Sequence, residues 1–364
     1  MYSIDSLVFT NCEFEGLSKL AGDRTVAALP FWGKYRMIDF PLSNLAWNEI
    51  TTIGIITPYK YRSIIDHVGS GKPWGLDRKI GGLHILPGTV WGYSSANSRF
   101  ILKDIENNKI FLDRSSADYI LVTAANTVSA IDYEDLVKHH HDSKADMTIV
   151  YKIAEANNEY MSEVRMSKDK VTSMHHGVKK GQPMFLDCFV INRRTLYNLL
   201  KYYKAINFMD LFDILGSEFN KMDVRAYEYE DYSYSIFTEK QYFDANMDLL
   251  CEDVYAKLML DSRTILTKQH DHMPTKFVEG CSVKRSIVQD GSLIEGSVEN
   301  SIISSNVIIE RGAKVTNSII FQGCVIEAGA KVDHAIIDRR NVVSKKVSIK
   351  GTKGNPFVMG KVLR

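Results

Sequence analysis

Along residues 1–245, short apolar runs alternate with amphipathic stretches. IDSLVF, TTIGIITPY, YILVTAAN and MTIVYKIAE are continuous rather than alternating runs, as in strands buried on both faces of a parallel sheet. Between them LSNLAWNEI, YKYRSIIDHVG, NSRFILKDIEN and DYEDLVKHHHDSK carry apolar residues at three- and four-residue spacing, which predicts helices. Together they predict an α/β domain with a mostly parallel, Rossmann-like sheet and a ligand crevice at the carboxyl ends of its strands.

After Asp244 the pattern changes. ANMDLLCEDVYAKLML predicts one more amphipathic helix, and SRTILTKQHDHMPTKFV a polar, extended connector. A repeat follows: VENSIISSNVIIERGAK, VTNSIIFQGCVIEAGAK and VDHAIIDRRNVVSKKVS run on without a gap, after a shorter copy, VKRSIVQDGSLIEGS. Each unit is too short to bury a core alone, whereas stacked coils of a parallel β-helix bury the recurring Ile and Val as one ladder. The ladder pairs Ile302–Ile303, Ile319–Ile320 and Ile336–Ile337 are expected inside the coil. The expected divisions are an α/β domain at 1–245, a helix and connector at 246–275, and a β-helix at 276–364.

Composition narrows the function. A chain of 364 residues with 45% hydrophobic content can fill two cores. Net charge is +1 from 45 basic and 44 acidic residues, so no overall field draws the chain to nucleic acid or an anionic membrane. Any phosphate must be held by local basic residues. The five cysteines are scattered without CxxC or zinc spacing, which fits reduced thiols. No apolar run approaches the roughly 18 residues of a membrane span, and MYSIDSLVF lacks a signal pattern. A cytoplasmic location is expected.

PFWGKYRMIDFPLSN, HVGSGKPWGLDRKIGGLHILP, FDANMDLL and MPTKFVEGCSV followed by the repeat together resemble ADP-glucose pyrophosphorylase, glucose-1-phosphate adenylyltransferase, over nearly the whole chain. The resemblance implies a nucleotidyltransferase α/β domain and a left-handed β-helix. It also implies a reaction joining ATP to glucose 1-phosphate with Mg²⁺, feeding glycogen or starch synthesis. Against that pattern the site positions are changed. Where the family writes LAGGxGxRL, an ungapped count places residues 9–17, so Asn11, Cys12 and Phe14 replace residues whose backbone approaches the triphosphate. Glu13 and Glu15 add negative charge, and the loop arginine becomes Gly16. In the RAKPA segment the phosphate-facing lysine becomes Val26. The metal-binding aspartate of GDHxYxMDY becomes Asn126, and that of DVGT becomes Ser235. The sugar-phosphate lysine falls near Gly177, and WYxGTADA reads as residues 91–98, beginning at Trp91.

Mg²⁺ usually enlists one or two carboxylates beside substrate phosphates. A neutral amide and a hydroxyl replace them poorly, so no metal or other cofactor is expected. Such losses on an otherwise intact scaffold resemble the non-catalytic, regulatory partner of the pyrophosphorylase, paired in bacteria with a catalytic subunit. A heterotetramer and a sugar-phosphate effector are implied. Lys34 and Arg36 in GKYR lie where the family binds regulatory sugar phosphates, against the reading of an ordinary surface ion pair. Two alternatives stand beside this one. An active sugar-1-phosphate nucleotidyltransferase would rebuild its metal site from Asp132, Glu13 or Glu15, and a hexapeptide-type acyltransferase would need a trimeric β-helix. Elsewhere, His139, His140 and His141 are expected on a solvated helix face, His334 packed or exposed in a coil, and Trp74 and Trp91 in packing.

Overall fold

The computed structural model describes residues 2–10, 14–58, 60–88, 99–204, 210–212, 221–260 and 263–361. Asn11, Cys12, Glu13 and Trp91 lie outside them. Contacts divide the chain into two compact units that interleave along the sequence. One holds Met1–Glu13, Thr25–Ala27 and Phe40–Ser235; the other holds Phe14–Arg24, Ala28–Asp39 and Ile236–Arg364. The expected divisions near 245 and 275 are cuts along the chain, whereas these units gather separate segments.

The first unit is built on a nine-stranded sheet. Its order is Gly82–Pro87, Thr52–Thr57, Ile4–Phe9, Tyr119–Ala124, Pro183–Asn192, Met147–Ile153, Val224–Glu228, Lys170–Val178 and Asn158–Ser167. Pro183–Asn192 and Lys170–Val178 run against the other strands. In Ile4–Phe9, Thr52–Thr57 and Tyr119–Ala124, every residue after the first is buried. That two-sided burial is why their sequences do not alternate. Val8 stands between Ile55 and Thr123 in parallel register, so these strands end together at Phe9, Thr57 and Ala124. The helix Tyr133–Ser143 begins at Asp132, whose carboxylate accepts from the backbone of Glu134 at 3.0 Å and Asp135 at 3.3 Å.

The second unit contains a left-handed β-helix made of three five-stranded parallel sheets. The repeat supplies the register directly: Val298 pairs with Val315 and that with Val332, while Ile303 pairs with Ile320 and that with Ile337. Corners turn through left-handed residues, Gly312 and Gly329 at φ 77° and 71°, where the absence of a Cβ makes the turn inexpensive. At another corner Asn300 donates to Asn317 at 2.8 Å and Asn317 to Asp333 at 3.0 Å, a polar ladder along the coil.

Two expectations are corrected here. Ile303, Ile320 and Ile337 join the interior cluster, but Ile302, Ile319 and Ile336 are buried outside it. Neighbours in a strand point to opposite faces, so one isoleucine of each pair faces inward and the other outward under cover. The stretch from Ala245 is not one helix. A helix already starts at Glu239 on a Thr238–Gln241 capping box and ends at Asp248, an acidic residue at the unfavourable negative end of the helix dipole. Cys251 is extended, and a short helix, Glu252–Tyr255, follows.

Candidate functional site

The carboxyl ends of the central strands in the first unit hold two of the expected metal positions. Asn126 follows Tyr119–Ala124 and is fully buried, with its amide against the Asp187 carboxylate. Ser235 pairs with Thr127 across a two-stranded ladder, their hydroxyls 2.9 Å apart. Asn126 and Ser235, 109 positions apart in sequence, are thus one residue out of register (235 minus 126). Asp187 is engaged by Arg99, which also donates to the Tyr160 carbonyl. Burial pushes the Asp187 carboxyl up, and Arg99 with Asn126 pulls it back. Val26, in the same unit, is buried and apolar. Gly177 sits at φ 78° in a bulge of Lys170–Val178.

In the second unit Phe14 is buried with its ring 4.7 Å from that of Phe237 in an edge contact. Gly16 lies so close that a Cβ would stand 3.0 Å from the Phe237 carbonyl and 3.0 Å from Thr238 Cγ2. A side chain at this position requires those neighbours to move. The GKYR hairpin pairs Pro30–Phe31 with Tyr35–Arg36 and is held by FDANMDLL. The Trp32 amide donates to Asn246 at 2.7 Å, and Tyr242 donates its hydroxyl to the Pro30 carbonyl. Gly33 abuts Gln289 of the first coil. Lys34 is exposed, its ammonium 4.9 Å from the Tyr35 ring centre, and Arg36 is half-buried.

Residues 17–162 match the family described as Nucleotidyl transferase, and residues 273–353 the family described as GlmU-like, C-terminal hexapeptide. The Glycogen biosynthesis protein GlgD of Geobacillus stearothermophilus is 34% identical over 347 residues, 95% of this chain and 93% of that protein. Its namesake in Bacillus subtilis (strain 168) is 31% identical over 349 residues, 95% of this chain and 92% of that protein. The Glucose-1-phosphate adenylyltransferase of Fusobacterium nucleatum subsp. nucleatum is 29% identical over 319 residues, 82% of this chain and 80% of that protein. The chain belongs to the ADP-glucose pyrophosphorylase family. Two of these relatives are named for glycogen biosynthesis.

The Mg²⁺ that an ADP-glucose pyrophosphorylase frame implies meets a poor donor set at these positions. The Asn126 amide is neutral, the Ser235 hydroxyl is tied to Thr127, and the nearby Asp187 carboxylate is paired with Arg99. Among the described residues no group of three or more His, Cys, Asp or Glu is placed to hold a metal ion. Asp132, one of the three carboxylates from which a rebuilt site would draw, caps a helix.

Sequence reasoning missed Arg24 as a buried anchor. It donates to Asp338 at 2.7 Å and to the Leu20 carbonyl, joining the segment after the altered loop to a coil 314 residues away. Arg24 Nη1 and Arg339 Nε have no hydrogen-bond partner among the described residues. Burial and the charge of Arg24 hold Arg339 below its ordinary value. No local motif announces such a pair.

His140 corrects the expected solvated face. It is buried, with Nδ1 2.8 Å from Thr148 Oγ1 and Nε2 3.2 Å from Asn192 Oδ1, and burial lowers its pKa from 6.5 to about 4. His140 is three and four residues beyond Val137 and Leu136, so helical geometry turns it into the core. His141 is exposed, 2.7 Å from the Tyr119 hydroxyl. His334 stacks near Phe243, and Trp74 is buried beside His67. Because the folded value of His140 is depressed, the unfolded chain takes the proton first. Its contribution is therefore intact above about pH 6.5 and is lost as pH falls toward 4, by about 3 kcal/mol. Denaturant melts of the chain and of His140→Gln are expected to converge across that window; parallel curves would contradict it.

Proposed function

We propose that this ADP-glucose pyrophosphorylase relative is a non-catalytic, regulatory subunit that assembles with an active homologue in the cytoplasm and modulates ADP-glucose synthesis for glycogen. The observation that carries the reading is the pairing of Ser235 with Thr127, the residue after Asn126. The two expected metal positions are thus one register step apart, and an amide and a hydroxyl occupy them. Buried Val26, the crowded Gly16 and the Phe14–Phe237 contact support it, because each replaces a phosphate-facing group with packing. Assays with ATP, Mg²⁺ and glucose 1-phosphate, alone and mixed with an active homologue, test it. The chain alone is expected to be inert and the mixture to respond differently to effectors from the homologue alone. Turnover by the chain alone, or a mixture behaving as the sum of its parts, would reject the proposal.

A regulatory anion would be held by Lys34 and Arg36 on the hairpin that packs against the β-helix. In the same compact unit the unpartnered nitrogens of Arg24 and Arg339 are further donors. Lys34→Ala with Arg36→Ala is expected to leave assembly intact and to shift the effector midpoint of the mixed complex by about 5- to 150-fold, the usual range of allosteric coupling. An unchanged activation curve, with assembly confirmed by sizing, would remove these residues from the effector site.

A further inference from the structure

The carboxyl end of the sheet contains a feature that the loss of metal ligands does not require. Asp187 is a non-glycine residue at φ 52°, almost fully buried, within a strand whose pairing with Met147–Ile153 slips between Phe185 and Phe189. Left-handed backbone inside a strand is strained for a residue with a Cβ, and bulges of this kind re-aim side chains beside active sites. Its neighbour Cys188 pairs with Thr123, so Asp187 lies level with Ala124, where the parallel strands end and one residue before Ala125-Asn126 begins. Arg99, also buried, holds Asp187 through Nη1, spans to the Tyr160 carbonyl through Nη2 and lies 4.0 Å from Met161 Sδ. A buried guanidinium and a carboxylate on strained backbone, with the Asn126 amide beside them, form a filled and internally neutralised cluster.

We propose that the Arg99–Asp187 ion pair fills, from within the chain, the crevice at the carboxyl end of the sheet, where open α/β sheets take their ligands. This rests on the reading that the chain is non-catalytic, and adds that its substrate site is closed by its own side chains rather than merely stripped of metal ligands. The charges satisfy one another, so the site has no call for a phosphate or a sugar hydroxyl. Removing one partner strands the other as a buried charge, whereas removing both leaves space and lets position 187 take its backbone angle as glycine.

The test uses the full chain with Arg99→Val and Asp187→Gly, singly and together, and titrates ADP-glucose and glucose 1-phosphate by calorimetry. Each single variant is expected to melt well below the parent, and the double variant to recover much of that loss. The folded double variant is expected to bind ADP-glucose at least tenfold more tightly than the parent. A folded double variant with no gain in affinity, or a parent that already binds ADP-glucose as tightly, overturns the plug. If the double variant fails to fold, Asp187→Gly with Arg99→Met supplies the same comparison with more of the packing retained. Turnover by the parent chain would instead overturn the non-catalytic reading, so the two failures are separable.

Discussion

Given ATP, Mg²⁺ and glucose 1-phosphate, the purified chain is expected to make no ADP-glucose above the level of Asn126→Ala with Asp132→Ala, and Asn126→Asp is expected not to restore activity. A bound metal supplies several kcal/mol of charge stabilisation to a transferring phosphoryl group, which corresponds to about 10³-fold or more in rate. Here an amide, Asn126, and a hydroxyl, Ser235, stand at the two positions expected to hold the metal. The reverse substitution fails for a second reason. Asn126 is fully buried against Asp187, and Arg99 already neutralises that carboxylate. A carboxylate at 126 would be a second negative charge in the same buried cluster, costing roughly 3–5 kcal/mol or remaining protonated. Asn126→Asp is therefore expected to melt at lower temperature than the parent while remaining inert. Turnover restored by that one change, with unaltered stability, would mean that the rest of the site is competent and that Gly16, Val26 and Ser235 are not limiting.

The elements with local periodicity were legible before any coordinates. The continuous run in IDSLVF is the strand Ile4–Phe9, and the repeat beginning at Val298 is the register of the coil. His140 was legible too, since it lies in step with Leu136 and Val137, but taking the three histidines together as one solvated face overlooks that helix phase. The hairpin Asn158–Ser167 with Lys170–Val178 has mixed burial and little alternation, so its pattern gives weaker guidance. The site itself divides in the same way. Asn126 and Ser235 could be placed by resemblance to a motif, because flanking phrases fix the count. Arg99 and Asp187 could not, since a buried ion pair between residues 88 apart follows from a sheet bulge that no local rule specifies. Arg24 and Asp338 pose the same difficulty across 314 residues.

The β-helix gives a large effect from one side chain. Ile320→Asp is expected to unfold it, whereas Ile308→Asp should be tolerated with a loss under about 1 kcal/mol. Ile320 is fully buried in the interior cluster and is stacked between Ile303 and Ile337. Replacing it forfeits about 2–3 kcal/mol of apolar burial and places an unpaired carboxylate in a coil interior, a total beyond about 5 kcal/mol. Because each coil is stabilised by the coils next to it, a defect in the middle copy is transmitted both ways along the stack. Ile308 belongs to the outward row that pairs with Leu293 and Val325 and is 38% exposed, so a carboxylate there remains in water. Circular dichroism melts and limited proteolysis distinguish the two variants. Loss of the β-helix signal in Ile320→Asp alone supports the inward and outward assignment. Equal tolerance of both changes would mean that the ladder does not hold the coil together, and equal collapse would mean that the outward row is itself covered.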